Sequence, residues 1–131
     1  MLRFLISAAA LLLAAPLSAA PRLVADLNRG QNIEVQNVWL NSGDSSSPVV
    51  YFAASDPAHG LELWRSDGTS AGTWRLTDVC PGRCDASPGP VTVVQDHLFF
   101  TADDGVSGVE LWESDGTPGS EQRVRDLCPG P

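Results

Sequence analysis

Acidic side chains recur along this chain at one fixed spacing. Asp56, Glu62, Asp67 and Asp78 are followed 48 residues later by Asp104, Glu110, Asp115 and Asp126 (104 − 56 = 48). Carboxylates so placed can do three kinds of work. Two of them about 5–10 Å apart beside a sugar-sized cleft can cleave a glycosidic bond. Several around a flexible, glycine-rich loop can hold calcium through oxygen ligands. The segment "TADDGVSGVE" puts Asp103, Asp104 and Glu110 on such a loop, so calcium is the candidate ion, although the spacing is not that of an EF-hand. Single carboxylates cap turns or pair with arginine, here Glu62 with Arg75 and Glu110 with Arg123 on the neighbouring strand. Repetition favours the third use, because an active site is singular and each of these acids has a copy. The chain has no Gly-x-Ser-x-Gly, no phosphate loop and no Ser-His-Asp order in context. His59 has Ser107 as its counterpart and His97 precedes a strand, so both read as surface residues. No catalytic residue is expected.

The elements that position these acids follow from the repeat itself. Residues 52–83 align with 100–131 without a gap, and sixteen of those thirty-two positions are identical. Two octapeptides stand out, "ELWRSDGT" and "ELWESDGT". They supply Glu62, Leu63, Trp64, Asp67, Gly68 and Thr69, then Glu110, Leu111, Trp112, Asp115, Gly116 and Thr117. A period near this length belongs to units of several strands, as in propeller blades. Four short strands can be read in each unit: "EVQNVWL" or "PVTVVQ", "VVYFAA" or "HLFFTA", "LELWRS" or "VELWES", and "TWRLTDV" or "EQRVRDL". Val, Leu, Phe, Trp and Thr suit a pleated surface, and Gly, Pro, Asp and Ser separate the runs. After the first residues no stretch carries a helical period.

In "LELWRS", Leu61, Leu63 and Arg65 point one way and Glu62, Trp64 and Ser66 the other. Both faces carry a large apolar group, so this strand reads as packed on both sides. "SDGT" supplies the turn, through a glycine that accepts the left-handed region and an Asp that binds its own backbone. Trp64 and Trp112 therefore read as core. Trp39 and Trp74 have no aromatic copy and are the candidates for an exposed patch.

The ends and the charge bound the rest. Arg3, the apolar run "FLISAAALLLAA" and the small residues "PLSAA" read as a signal peptide over residues 1–19. Residues 20–30 include "LVADLNRG", which matches the fourth strand of a unit. The first repeat unit then spans 31–82 and the second 83–131, with "NSGDSSS" as an extra polar loop in the first. The formal net charge is −8, from sixteen acidic and eight basic residues. That excludes nucleic acid and anionic lipid as partners. No later apolar run is long enough to span a bilayer once the leader is removed. The location implied is exported, whether periplasmic, cell-surface or secreted, where disulfides persist. Cys80 and Cys84 bracket "PGR" and are expected to pair, leaving Cys128 alone. Zinc lacks the ligand spacing.

The segments "ELWRSDGTSAGTWRLTDVCPG" and "ELWESDGTPGSEQRVRDLCPG" resemble the ELWxxDGT repeat, sometimes labelled hyalin-like, of exported bacterial proteins. The resemblance covers nearly all of the chain after the leader. It implies an all-β fold of tandem four-stranded antiparallel, propeller-blade-like units, here an incomplete propeller, and it implies no reaction. The family pattern continues as Gly-Thr, which the first unit keeps as Gly72 and Thr73. Ser120 and Glu121 in the second unit read as decay. "SDGTSAGTW" has the letters of the Asp-box of sialidase propellers but not its spacing. The function expected is a non-catalytic extracellular or cell-surface module for binding or scaffolding. Its partner is a surface ligand or further repeats, and its cofactor is none or calcium. The alternative is a fragment of a propeller-type glycan hydrolase.

Overall fold

The computed structural model describes residues 34–40 and 49–127. The expected leader, the strand at 20–30, the polar loop at 41–47 and Cys128 lie outside them. Among the described residues there is no helix, and the strands form two four-stranded antiparallel sheets. The first holds β1 (Glu34–Leu40), β2 (Val50–Asp56), β3 (Gly60–Ser66) and β4 (Trp74–Arg75). The second holds β5 (Thr92–Val94), β6 (His97–Asp103), β7 (Val109–Ser114) and β8 (Gln122–Arg125). Each is a meander in chain order, the arrangement that short connections favour. The all-β, four-strand expectation is met. The sheets do not close into a ring, so the described residues establish two meanders and not a propeller.

Equal letters give equal register. Phe52 faces Trp64 and Trp64 faces Arg75; Phe100 faces Trp112 and Trp112 faces Arg123. The fourth strand of the first sheet is shorter than "TWRLTDV" suggests. After Arg75 the Leu76 and Thr77 N–H groups both donate to the Leu63 carbonyl, at 2.8 and 3.2 Å. Two residues opposite one make a bulge, and the chain bends away from the sheet there.

The core lies between unlike faces of the two sheets. Tyr51, Leu63 and Leu76 come from the first, and Leu98, Phe100 and Ala102 from the second. Phe100 and Ala102 are the copies of Phe52 and Ala54, which lie on the opposite side of the first sheet from Leu63. The contact is therefore head to tail, one face of the repeat against the other face of the next. Val79, Cys80 and Ala86, from the connection between the sheets, complete this core.

Candidate functional site

Glu62 is fully buried on β3 and points at the connection that leaves the sheet. One carboxylate oxygen accepts the Thr77 hydroxyl at 2.8 Å and the Val79 N–H at 3.1 Å; the other accepts the Cys80 N–H at 2.9 Å. Burial pushes its pKa up, and the Cys80, Thr77 and Val79 donors pull against that. Desolvation disfavours the charge, and donors aimed at it restore part of what is lost. This corrects the expected pairing with Arg75. Arg75 binds Asp78 instead, at 3.0 Å, while the acid beside it on the neighbouring strand serves backbone donors. A buried carboxylate requires partners, and the bend after Arg75 delivers three of them inside the core. The arrangement recurs in the second unit. Buried Glu110 accepts the Leu127 N–H at 2.8 Å, and Leu127 is the copy of Val79. Arg123 lies instead 3.7 Å from both Asp104 and Asp126 and bonds the Ser107 hydroxyl.

The segment held by Glu62 continues as a strap across both sheets. Cys80 and Cys84 are disulfide-bonded, as expected, with Cα atoms 5.3 Å apart. Asp85 accepts the Leu61 N–H at 2.8 Å. Ala86 then bridges the two units with its own backbone. Its N–H donates to the Leu61 carbonyl at 2.9 Å, and its carbonyl accepts the Asp103 N–H at 2.9 Å. The strap passes so close to Gly60, at φ 65°, that a Cβ there would overlap the Cys84 carbonyl. Gly108, the copy of Gly60, has a similar φ of 77° but open space around it.

The "SDGT" turns are nearly superposable in their bonding. Asp67 Oδ1 accepts the Thr69 N–H and hydroxyl at 2.9 and 2.7 Å; Asp115 Oδ1 accepts the Thr117 N–H and hydroxyl at 2.9 and 2.6 Å. Gly68 and Gly116 take φ of 88° and 85°, as such turns require. These bonds set the acidity. The Thr117 hydroxyl, then the Ser120 hydroxyl and the Thr117 N–H, hold Asp115 down to about 2, and the Thr69 donors lower Asp67 likewise. The apparent decay of the second unit is a one-residue transfer. In the first turn the Thr73 hydroxyl bonds the Ser66 hydroxyl and the Thr69 carbonyl. In the second, the Ser120 hydroxyl bonds the Ser114 hydroxyl and the Thr117 carbonyl. Glu121 is thereby released, and it accepts the Asp78 N–H at 2.9 Å, another link between the units.

The remaining candidates are dispersed. Asp103 accepts the Gly105 N–H at 2.7 Å, and Asp104 the Val106 and Ser107 N–H groups at 2.9 and 2.6 Å. Glu110 is buried beneath the sheet, so the three acids proposed for calcium are not gathered at one point. Among the described residues no group of three or more His, Cys, Asp and Glu is placed to hold a metal ion. His59 folds back on Asp56 at 2.8 Å, and His97 is exposed at the start of β6. The two tryptophans expected on an exposed patch are both engaged. Trp39 packs against the core, and Trp74 lies under the Arg65 guanidinium at 4.3 Å. Trp64 and Trp112 each donate an indole N–H to a carbonyl of the neighbouring strand, at 3.0 and 3.1 Å.

What the repeated letters did not single out is which residues stand on an open face. Leu76 and Val79 are 1 and 6% exposed, whereas their copies Val124 and Leu127 are 47 and 62% exposed. Val109, the copy of half-buried Leu61, is 63% exposed. Similar letters do not tell the two units apart, because exposure depends on what lies over the sheet. Comparison with protein-family models, with curated proteins and with solved structures finds no match for this chain.

Proposed function

We propose that this chain is a non-catalytic repeat module of an exported protein, of the ELWxxDGT kind its octapeptides resemble. Its work is scaffolding or binding outside the cell, through blade-like units stacked head to tail. One observation carries the reading. The repeated acids serve the fold's own donors in both units: Glu62 and Glu110 hold the outgoing chain, and Asp67 and Asp115 close the turns. A glycosidase would need two of these carboxyls free beside a cleft. Incubation of the full chain with a panel of polysaccharides, read as release of new reducing ends, is expected to give no more than the buffer does. Release that a substitution of any single acid abolishes would replace this reading with the hydrolase one. A melt with added calcium and with a chelator is expected to give one midpoint, since Asp103 and Asp104 already accept backbone N–H groups.

A further inference from the structure

One pair of positions sets the polar chemistry of the two sheets apart. Tyr51, Arg65 and Trp74 face one another in a row across β2, β3 and β4. Their copies are Phe99, Glu113 and Gln122. In the second sheet the polar pair completes itself, because Gln122 donates to Glu113 at 2.7 Å. In the first sheet both members are donors. The Arg65 guanidinium lies 4.3 Å from the centre of the Trp74 ring. Its Nε–H and the indole N–H are covered, and neither has an acceptor among the described residues. Covered donors without acceptors are costly, a charged one most of all, so the pair calls for a partner. Arg75 and Arg123 have theirs in Asp78, Asp104 and Asp126. Arg83 and Arg125 are exposed to water. Asp67 feels the charge of Arg65 but spends Oδ1 on the Thr69 N–H and hydroxyl. Tyr51 keeps its phenol proton, since burial pushes its pKa up against the pull of Arg65, so no negative charge arises there. The chain has sixteen acidic residues to eight basic ones, so this guanidinium is not left unpaired for want of carboxylates.

We infer that Arg65 and Trp74 form a binding site for one oxyanionic group, a carboxylate or a sulfate, on a small ligand. The inference rests on the reading of the chain as a binding module and names the chemistry of what it binds. The guanidinium edge that carries Nε and one Nη matches two oxygens of such a group. The indole N–H supplies a third bond. Stacking on the ring holds the guanidinium in place beforehand, which lowers the ordering cost of binding. Both residues are half-buried, and Trp74 takes no part in the core between the sheets, so the pair stays partly open to solvent. The covered Nε–H is reached when Arg65 shifts along the ring, a movement its long side chain permits. The formal charge of −8 repels anions at a distance, so a ligand with a single charged group fits this site and a polyanion does not.

Nitrogen–proton correlation spectra of the full chain read the two donors directly. The Arg65 Nε–H and Trp74 indole N–H signals are followed as sodium acetate, sulfate or glucuronate is added at constant ionic strength. Both signals are expected to move together and saturate, with a Kd on the order of 1 mM. Sodium chloride and glucose are expected to move neither. Glucuronate binding more tightly than acetate and sulfate identifies a sugar-borne group, and equal affinities identify a free anion; either result upholds the site. Arg65→Lys keeps the charge and loses the fork, so binding should weaken about tenfold. Trp74→Phe keeps the ring and loses the third bond, with a smaller loss. Should Arg65→Lys disturb folding, Arg65→Glu with Trp74→Gln installs the self-sufficient pair of the second sheet and should abolish binding. Signals that no anion moves overturn the proposal and leave water as the acceptor. Shifts that chloride reproduces, or that Arg65→Lys retains at full strength, overturn it as well. If the chain is then also inert toward polysaccharides, the module reading stands and only the chemistry of its ligand is lost. Cleavage of polysaccharide sinks the module reading whatever the anions do.

Discussion

The two units are nearly the same text in different surroundings. Glu62 and Glu110 are both buried, the turns bond alike, and the strand registers agree. Yet Leu76 is in the core and Val124 is not, and Gly60 lies under a strap where Gly108 faces open space. Arg65 stacks on Trp74 in one sheet, while Glu113 takes a bond from Gln122 in the other. The lesson is that the repeated letters build the sheet and its turns, whereas the neighbour decides which side is core. Substitution at paired positions separates these two contributions.

The largest effect is expected at the buried acid. Glu62→Ala leaves the Val79 and Cys80 N–H groups and the Thr77 hydroxyl without their acceptor in the core. Denaturant unfolding should show a loss of more than about 3 kcal/mol, several donors being stranded at about 1–3 kcal/mol each. An unchanged midpoint would mean that the Glu62 clamp contributes nothing to the strap. The glycines come next. Gly60→Ala meets both a positive φ and the Cys84 carbonyl, and should cost about 3 kcal/mol or more. Gly108→Ala meets only the φ, at about 1–2 kcal/mol. Equal losses would show that the strap yields.

Leu76→Ala and Val124→Ala compare the two sides directly. The first should cost about 2–4 kcal/mol and the second under about 1 kcal/mol, because only the first leaves a cavity. Parity at monomer concentrations would contradict the open face. Opening the disulfide by Cys80→Ser with Cys84→Ser should cost about 2 kcal/mol, the chain-entropy value for so short a loop. That loss should fall on the strap, so hydrogen exchange at Ala86 and Asp103 should rise more than at Trp112.

The smallest effect is electrostatic, and its sign differs between two acids. Asp115 has its pKa lowered to about 2, so its contribution is present above the ordinary carboxylate value and lost as pH falls toward 2. Asp115→Asn should lower the melting point near neutrality and make no difference near pH 2. Glu62 has its pKa raised, so its contribution is full below the ordinary glutamate value and lost as pH rises through the raised one. The gap between Glu62→Gln and the parent should therefore narrow from acid toward neutral pH. Parallel pH profiles for the two variants would contradict this assignment.

Local rules made much of this molecule readable from its letters. Strand positions follow from alternating and β-branched runs, and the turns from Asp-Gly chemistry, because each depends on residues only a few places apart. The Cys80–Cys84 bond followed from spacing, and the equivalence of the two sheets from the 48-residue period. Three features were settled only in three dimensions. Glu62 serves Val79 and Cys80 and not Arg75, because a bulge at Leu63 turns the chain back over its carboxylate. Ser120 stands in for Thr73 because hydroxyls are matched by position in space and not by alignment. Leu76 is sealed and Val124 open because burial belongs to the pair of surfaces in contact, and a residue's own identity carries only half of that information.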